Sequence, residues 1–158
     1  INLTNHYSIS KYKGEKVLKN YKKKTILRKK FFGKSENSQK KSFSETIINF
    51  SKKKKPLNIP FNIFFNPTNF KIITKVIKII IKDKVYGTYN LGSRGSMSKY
   101  IFAKKILKNK KLSEKNIIPY KSKFKINKRP FNTTMNVSKL EKKLKIKLPT
   151  IINAILNA

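Results

Sequence analysis

The sequence predicts an α/β fold with parallel strand pairing, on three observations. Short apolar runs at 25–27, 63–65 and 85–91, rich in β-branched and aromatic residues, alternate with longer stretches whose apolar residues recur at helical spacing. The intervals between runs hold amphipathic segments of crossover length, which parallel strands require and hairpins do not. Turn residues fall between the elements, at Gly33, at Asn66-Pro67-Thr68-Asn69 and at Gly92-Ser93-Arg94-Gly95. At 158 residues the chain suits one domain around one core.

Residues 5–22 read as a helix that Asn5 caps, with Val17, Leu18 and Tyr21 as its packing face and Gly14 admitting a close neighbour. Thr25, Ile26 and Leu27, ending in Arg28, have the shape of a buried strand, closed at a turn by Phe31, Phe32 and Gly33. Phe43, Ile47, Ile48 and Phe50 mark a second helix of about three turns. Lys52 to Lys55 and Pro56 end it, lysines suiting the negative end of a helix dipole. Ile63, Phe64 and Phe65 form a strand-like run, and the turn at 66–69 starts an amphipathic helix from Phe70 to Lys82.

After the strand at 85–91, Gly92 to Gly95 turns the chain into a helix capped by Ser96, with Ile101, Phe102, Ile106 and Leu107 as its apolar side. Ile117, Ile118 and Pro119 make a short strand, and 121–132 an irregular arm. Ser138-Lys139-Leu140-Glu141 has the form of a capping box opening another helix. Leu148-Pro149-Thr150 begins the last helix, with Ile151, Ile152, Ile155 and Leu156 on one face.

The net charge of +34, from 40 Lys and Arg against 6 Asp and Glu, gives any such chain an affinity for polyanions. Only Arg28, Arg94 and Arg129 are arginines, whereas base-edge and bidentate phosphate recognition lean on arginine. The lysines are spread over almost every segment, so a specific nucleic-acid partner is not expected, and a basic nucleic-acid-binding protein stands only as an alternative. There is no cysteine, and the single histidine, His6, cannot assemble a cluster, so no metal site is expected. The most apolar stretch, 72–81, is bounded and crossed by Lys71, Lys75, Lys78 and Lys82 as a polar stripe, so no membrane span is expected. No signal peptide is visible, and the expected compartment is the cytoplasm. A homodimer is left open, with the charge opposing close self-association.

One pair of residues carries chemistry. Tyr7 and Lys11, four apart, fall on one face of the first helix, so a phenol and an ammonium share a small site. A neighbouring cation favours the tyrosinate and fits the phenol to exchange a proton with a carbonyl or alcohol near neutral pH, while the lysine can also hydrogen-bond a ribose. The plainer reading of the pair is a surface tyrosine beside a solvated lysine. Phe31 and Phe32, at the carboxyl end of a strand, are placed either to touch a ligand or simply to pack in the core.

Several short motifs recur together in order. They run Asn5-x-Tyr7-x-x-x-Lys11-x-x-Gly14-Glu15, Leu27-Arg28-x-x-Phe31-Phe32-Gly33, and Phe65-Asn66-Pro67-Thr68. Next come Gly87-Thr88-Tyr89-Asn90-Leu91-Gly92-Ser93, Ser98-Lys99-Tyr100-x-Phe102-Ala103, Arg129-Pro130-x-Asn132, Met135-Asn136-Val137-Ser138-Lys139-Leu140 and Leu148-Pro149. In this order and spacing the chain resembles the carboxyl-terminal half of the dTDP-4-dehydrorhamnose reductase family, extended short-chain dehydrogenases/reductases that act on sugar nucleotides.

The resemblance implies the second half of an NAD(P)-binding Rossmann-like fold with a small substrate-binding lobe. Residues 1–108 would carry the rest of the sheet and its helices, and 109–158 mainly the substrate-lobe arm and terminal helices. It implies reduction, with NADPH or NADH, of the 4-keto group of a nucleotide-linked deoxysugar. Tyr7 would donate the proton and Lys11 would tune Tyr7 and bind the nicotinamide ribose. Phe31, Asn66 and Arg129 would contact or border the substrate.

The chain departs from the family at Lys29 and Lys30, where small polar residues are usual, and at Asn62, where aspartate is common. The family's glycine-rich dinucleotide turn and catalytic Ser/Thr have no counterpart here. The chain therefore reads as a fragment whose activity needs the missing amino-terminal half of the same protein. The alternative within this fold is a non-catalytic sugar-nucleotide or dinucleotide-binding regulatory subunit.

Overall fold

The structure is a computed structural model that describes residues 6–35, 39–123 and 130–158. The expected cap Asn5 and the expected substrate contact Arg129 lie outside the described residues. The elements run α1 (His6–Val17), β1 (Thr25–Lys29), β2 (Phe31–Phe32), α2 (Phe43–Lys52), β3 (Leu57–Pro60), β4 (Phe64–Phe65), β5 (Thr68–Asn69) and α3 (Phe70–Lys82). They continue with β6 (Gly87–Leu91), β7 (Met97–Ser98), α4 (Lys99–Asn109), β8 (Ile117–Tyr120), α5 (Ser138–Leu144) and α6 (Ile151–Leu156).

Strand pairing is mainly parallel, as the alternation of runs and crossover helices predicts. β1 lies beside β6 with Thr25 opposite Gly87 and Lys29 opposite Leu91, β2 beside β5, and β3 beside β8. Among the described residues only β4 and β7 pair antiparallel. β3 is not among the elements expected from the sequence, which assigns nothing between Pro56 and Ile63. A proline at the end of a strand costs no ladder bond there, and Leu57 to Pro60 still run in register with Ile117 to Tyr120.

The helices form where a cap and an apolar face coincide. Ser42 and Glu45 close a capping box on α2, which buries Ile47. Asn69 caps α3 through Ile72 N–H, and α3 buries Ile73, Val76 and Ile80 beneath its lysine stripe. Thr150 caps α6.

The single core expected from chain length is two clusters. One joins Phe32, Ile47, Ile59, Phe102, Leu107 and Ile155. The other joins Ile73, Val76, Ile80, Leu91, Leu140 and Leu148, and Ile72 packs against both. At the centre of the first, Phe102 is fully buried and its ring lies 5.1–6.1 Å from those of Phe65, Phe32 and Phe43.

Several local expectations are corrected. α4 is capped by Ser98, not Ser96, because Met97 and Ser98 first pair with β4; Ser96 instead hydrogen-bonds Thr134 at 2.7 Å. α5 has no capping box. Asn136 Oδ1 accepts from Ser138 N–H, so the helix starts around Val137, and Glu141 accepts from Leu148 N–H instead. Ile101, Ile152 and Leu156 are exposed, and Ala103 and Ala154 take inward places.

The largest correction concerns the first helix. No residue of α1 is buried, Val17 and Tyr21 are 75% and 64% exposed, and a side chain at Gly14 would meet nothing within 4 Å. Among the described residues nothing covers this face. β1, expected to be buried, is half-buried for the same reason.

Candidate active site

A cleft of about 680 Å³ lies between α1 and the carboxyl end of β1. In open α/β sheets this is where ligands sit. α1 contributes Tyr7, Ser8, Lys11, Tyr12 and Glu15, β1 and its continuation contribute Arg28 to Phe31, and Met135 closes one side.

Tyr7 and Lys11 come together as their spacing predicts, with the Lys11 ammonium 5.5 Å from the centroid of the Tyr7 ring. Tyr7 is 71% exposed, so its hydroxyl is reachable from solvent. Phe31 joins them in the lining at 48% exposure while Phe32 turns inward to the core, so the alternation along β2 separates a surface aromatic from a core one. Gly33, at φ +141°, supplies the backbone conformation at the end of β2, against Phe70, whose ring centroid is 4.7 Å from that of Phe31. Beyond Phe31 lies a second hollow of about 830 Å³ bordered by Lys34, Lys40, Phe70 and Lys71, so Phe31 forms the ridge between the two.

Asn66 is not brought into the lining. It is 1% exposed, and its amide is fully engaged behind the cleft. Nδ2 donates to Ser93 O and Met135 O at 2.8 Å each, and Oδ1 accepts from Met135 N–H at 2.9 Å. Its work is to clamp the segment that carries Met135 to the turn after β6. Gly92 makes this approach possible, since a Cβ there would stand 2.5 Å from Asn66 O.

Two features of the cleft are not legible in the sequence. Arg28 donates from Nε and Nη2 to the two carboxylate oxygens of Glu15, at 2.8 and 2.5 Å, and ties β1 to α1. That bond holds the Glu15 carboxyl below its ordinary range and raises Arg28 above its own. The available signal was scarcity, because with only 6 acidic residues each one in a helix invites a search for its partner.

The second is Lys30, half-buried, whose Nζ donates to Thr133 O at 3.1 Å. Burial, with the nearby charge of Lys99, lowers its pKa to about 8. Nothing in a lysine-rich sequence marks one lysine as half-buried.

The fold defines a class, the Rossmann-like extended short-chain dehydrogenases/reductases. The chain belongs to the family described as RmlD substrate binding domain, which it matches over residues 2–157. Among solved structures it is similar to a dTDP-4-dehydrorhamnose reductase from Bacillus anthracis in complex with NADP, at 25% identity and a TM-score of 0.86, covering 98% of this chain and 54% of that one. It is similar in fold to the ortholog from Clostridium acetobutylicum, at 22% identity, a TM-score of 0.86 and 99% and 55% coverage. A dTDP-glucose 4,6-dehydratase from Bacillus anthracis in complex with NAD shares the fold at 14% identity and a TM-score of 0.75, over 96% and 50% of the two chains. The chain thus spans about half the length of these structures. No curated protein matches it. Among the described residues, no helix is long and apolar enough to cross a membrane.

Proposed function

We propose that this chain is the carboxyl-terminal part of an NAD(P)H-dependent reductase that acts on the 4-keto group of a nucleotide-linked deoxysugar. The observation that carries the reading is the meeting of Tyr7, Lys11 and Phe31 in one cleft at the carboxyl end of β1. Residues up to 108 supply the Tyr7/Lys11 helix and most of the strands, and 109–158 add β8, which runs beside β3, and the terminal helices, with Arg129 assigned to the substrate side.

The Tyr7 hydroxyl is the group that donates a proton to the carbonyl oxygen, since it is exposed to the cleft and Lys11 lies against its ring. Lys11, a donor of three hydrogen bonds with none given to a carboxylate among the described residues, is free to hold a ribose hydroxyl. These two fit the nicotinamide-ribose end of the cofactor, which when bound supplies the hydride. A further segment of the same protein is needed for the phosphate-binding end, and the bare face of α1 is where it would pack. Phe31 bounds the substrate side, and Asn66 acts through its clamp on Met135 rather than by contact.

The test is Tyr7→Phe in the full-length protein, followed by NAD(P)H oxidation with a nucleotide-linked 4-keto-6-deoxysugar. Turnover is expected to fall by about 10²–10⁴-fold with the melting temperature unchanged. Substantial turnover in a well-folded variant would remove Tyr7 from this role.

A further inference from the structure

Three lysines, Lys11, Lys29 and Lys30, line the cleft together with Arg28, and the one acidic residue among the lining is Glu15. Glu15 is not available to them, since both its oxygens accept from Arg28. No carboxylate among the described residues lies within ion-pair distance of the three lysines. Their situations differ. The Lys11 ammonium stands over the Tyr7 ring and that of Lys29 over the Phe31 ring, 5.2 Å from its centroid, each next to a side chain at least 48% exposed.

Lys30 is instead half-buried at the mouth of β1, held by a single carbonyl. That carbonyl is fixed: Thr133 donates from both its N–H, at 2.9 Å, and its Oγ1, at 3.1 Å, to Phe64 O. An ammonium has three donors, so this geometry orients one and leaves capacity for others toward the cleft. A partly desolvated cation with no counter-ion and another cation, Lys99, nearby is a costly arrangement unless something supplies negative charge.

We propose that Lys30 is a specificity-determining residue, binding a carboxylate or phosphate oxygen of the ligand in the cleft that it lines together with Tyr7. The inference rests on the reading of the cleft as a sugar-nucleotide site and adds to it a demand for an oxyanion at one place. The charge that acts on Lys30 is Lys99 of α4, and the charged and titratable groups that line the cleft with it are Tyr7, Lys11, Tyr12 and Glu15 of α1 and Arg28 and Lys29 of β1. Of these only Glu15 is an acid, and it is committed. Oxyanion binding therefore needs Lys30 protonated, and affinity should fall as pH rises through about 8.

The experiment uses the full-length protein, Lys30→Met and Lys30→Gln, with thymidine diphosphate and UDP-glucuronate as calorimetric probes. Lys30→Gln retains a donor for Thr133 O and serves if Lys30→Met fails to fold. The expected result is a loss of affinity of roughly tenfold or more, together with loss of the pH dependence near 8. Weakening of both probes assigns the phosphate, and weakening of UDP-glucuronate alone assigns the sugar carboxylate. Unchanged affinity and pH profile for both probes in a variant that melts like the parent would overturn the proposal and leave Lys30 as a brace for Thr133. Tyr7→Phe run alongside separates the two ideas, because failure of the reductase reading shows in turnover while the Lys30 inference is decided by binding.

Discussion

Replacing Glu15 by Gln should loosen α1 without loosening the sheet. The helix buries no residue, so the two-pronged bond from Arg28 is a principal tie between α1 and β1. A hydrogen bond to a charged group contributes about 1.5–3 kcal/mol where water is excluded. Here the Arg28 and Glu15 side chains are 39% and 22% exposed, and solvent screening brings the pair to about 1 kcal/mol. That is roughly a fivefold change in the opening equilibrium of the helix. Amide hydrogen exchange should therefore speed up about fivefold in the last two turns of α1, while β1 and β6 keep their rates.

The pH dependence has a definite sign. Arg28 depresses the Glu15 pKa in the folded state, so the stabilisation is present above the ordinary glutamate value and is lost as pH falls through the lowered one. The difference between parent and Glu15→Gln should persist through the ordinary glutamate range and close only as pH falls through the lowered Glu15 value. Equal exchange in α1 at neutral pH, or an equal rise throughout the protein, would refute this account of how the helix is held.

Phe102→Ala removes the centre of a four-ring cluster and should cost about 3–5 kcal/mol, read as a drop in Tm of roughly 10 °C or more by calorimetry. A loss under about 1 kcal/mol would mean the cluster is not cohesive. Asn66→Ala strands buried partners at Ser93 and Met135, at about 1–3 kcal/mol per unsatisfied group, and should accelerate exchange at Met135 N–H before the rest of the molecule. Lys111→Gly should stabilise the protein by about 0.5–1 kcal/mol, because Lys111 stands at φ +53°, where a Cβ is penalised; destabilisation in a denaturant titration would show that its side chain makes up the difference.

The local sequence by itself determined the features that rest on periodicity. The β1 and β6 runs, the lysine-striped α3, and the pairing of Tyr7 with Lys11 depend on spacing along one helix or strand, and each appears in the structure. The ends of α2 and α3 were legible from the lysine run with Pro56 and from the close of the apolar periodicity at Lys82, although α2, α3, α4 and α5 terminate with Lys54, Lys84, Lys111 and Lys145 at positive φ and not with glycine.

Tertiary structure alone decided what lies far apart in sequence. β3 exists because Ile117 to Tyr120 run beside it, α4 starts at Ser98 because Met97 pairs with Phe65, and Asn66 is a clamp because Met135 returns to it. The cleft shows the same division. Its Tyr7/Lys11 pair is one helical turn and could be read directly, whereas the burial of Lys30 against Thr133 depends on a contact across 103 residues. Desolvation is a property of surroundings, and no composition or spacing encodes which one of many lysines loses its water.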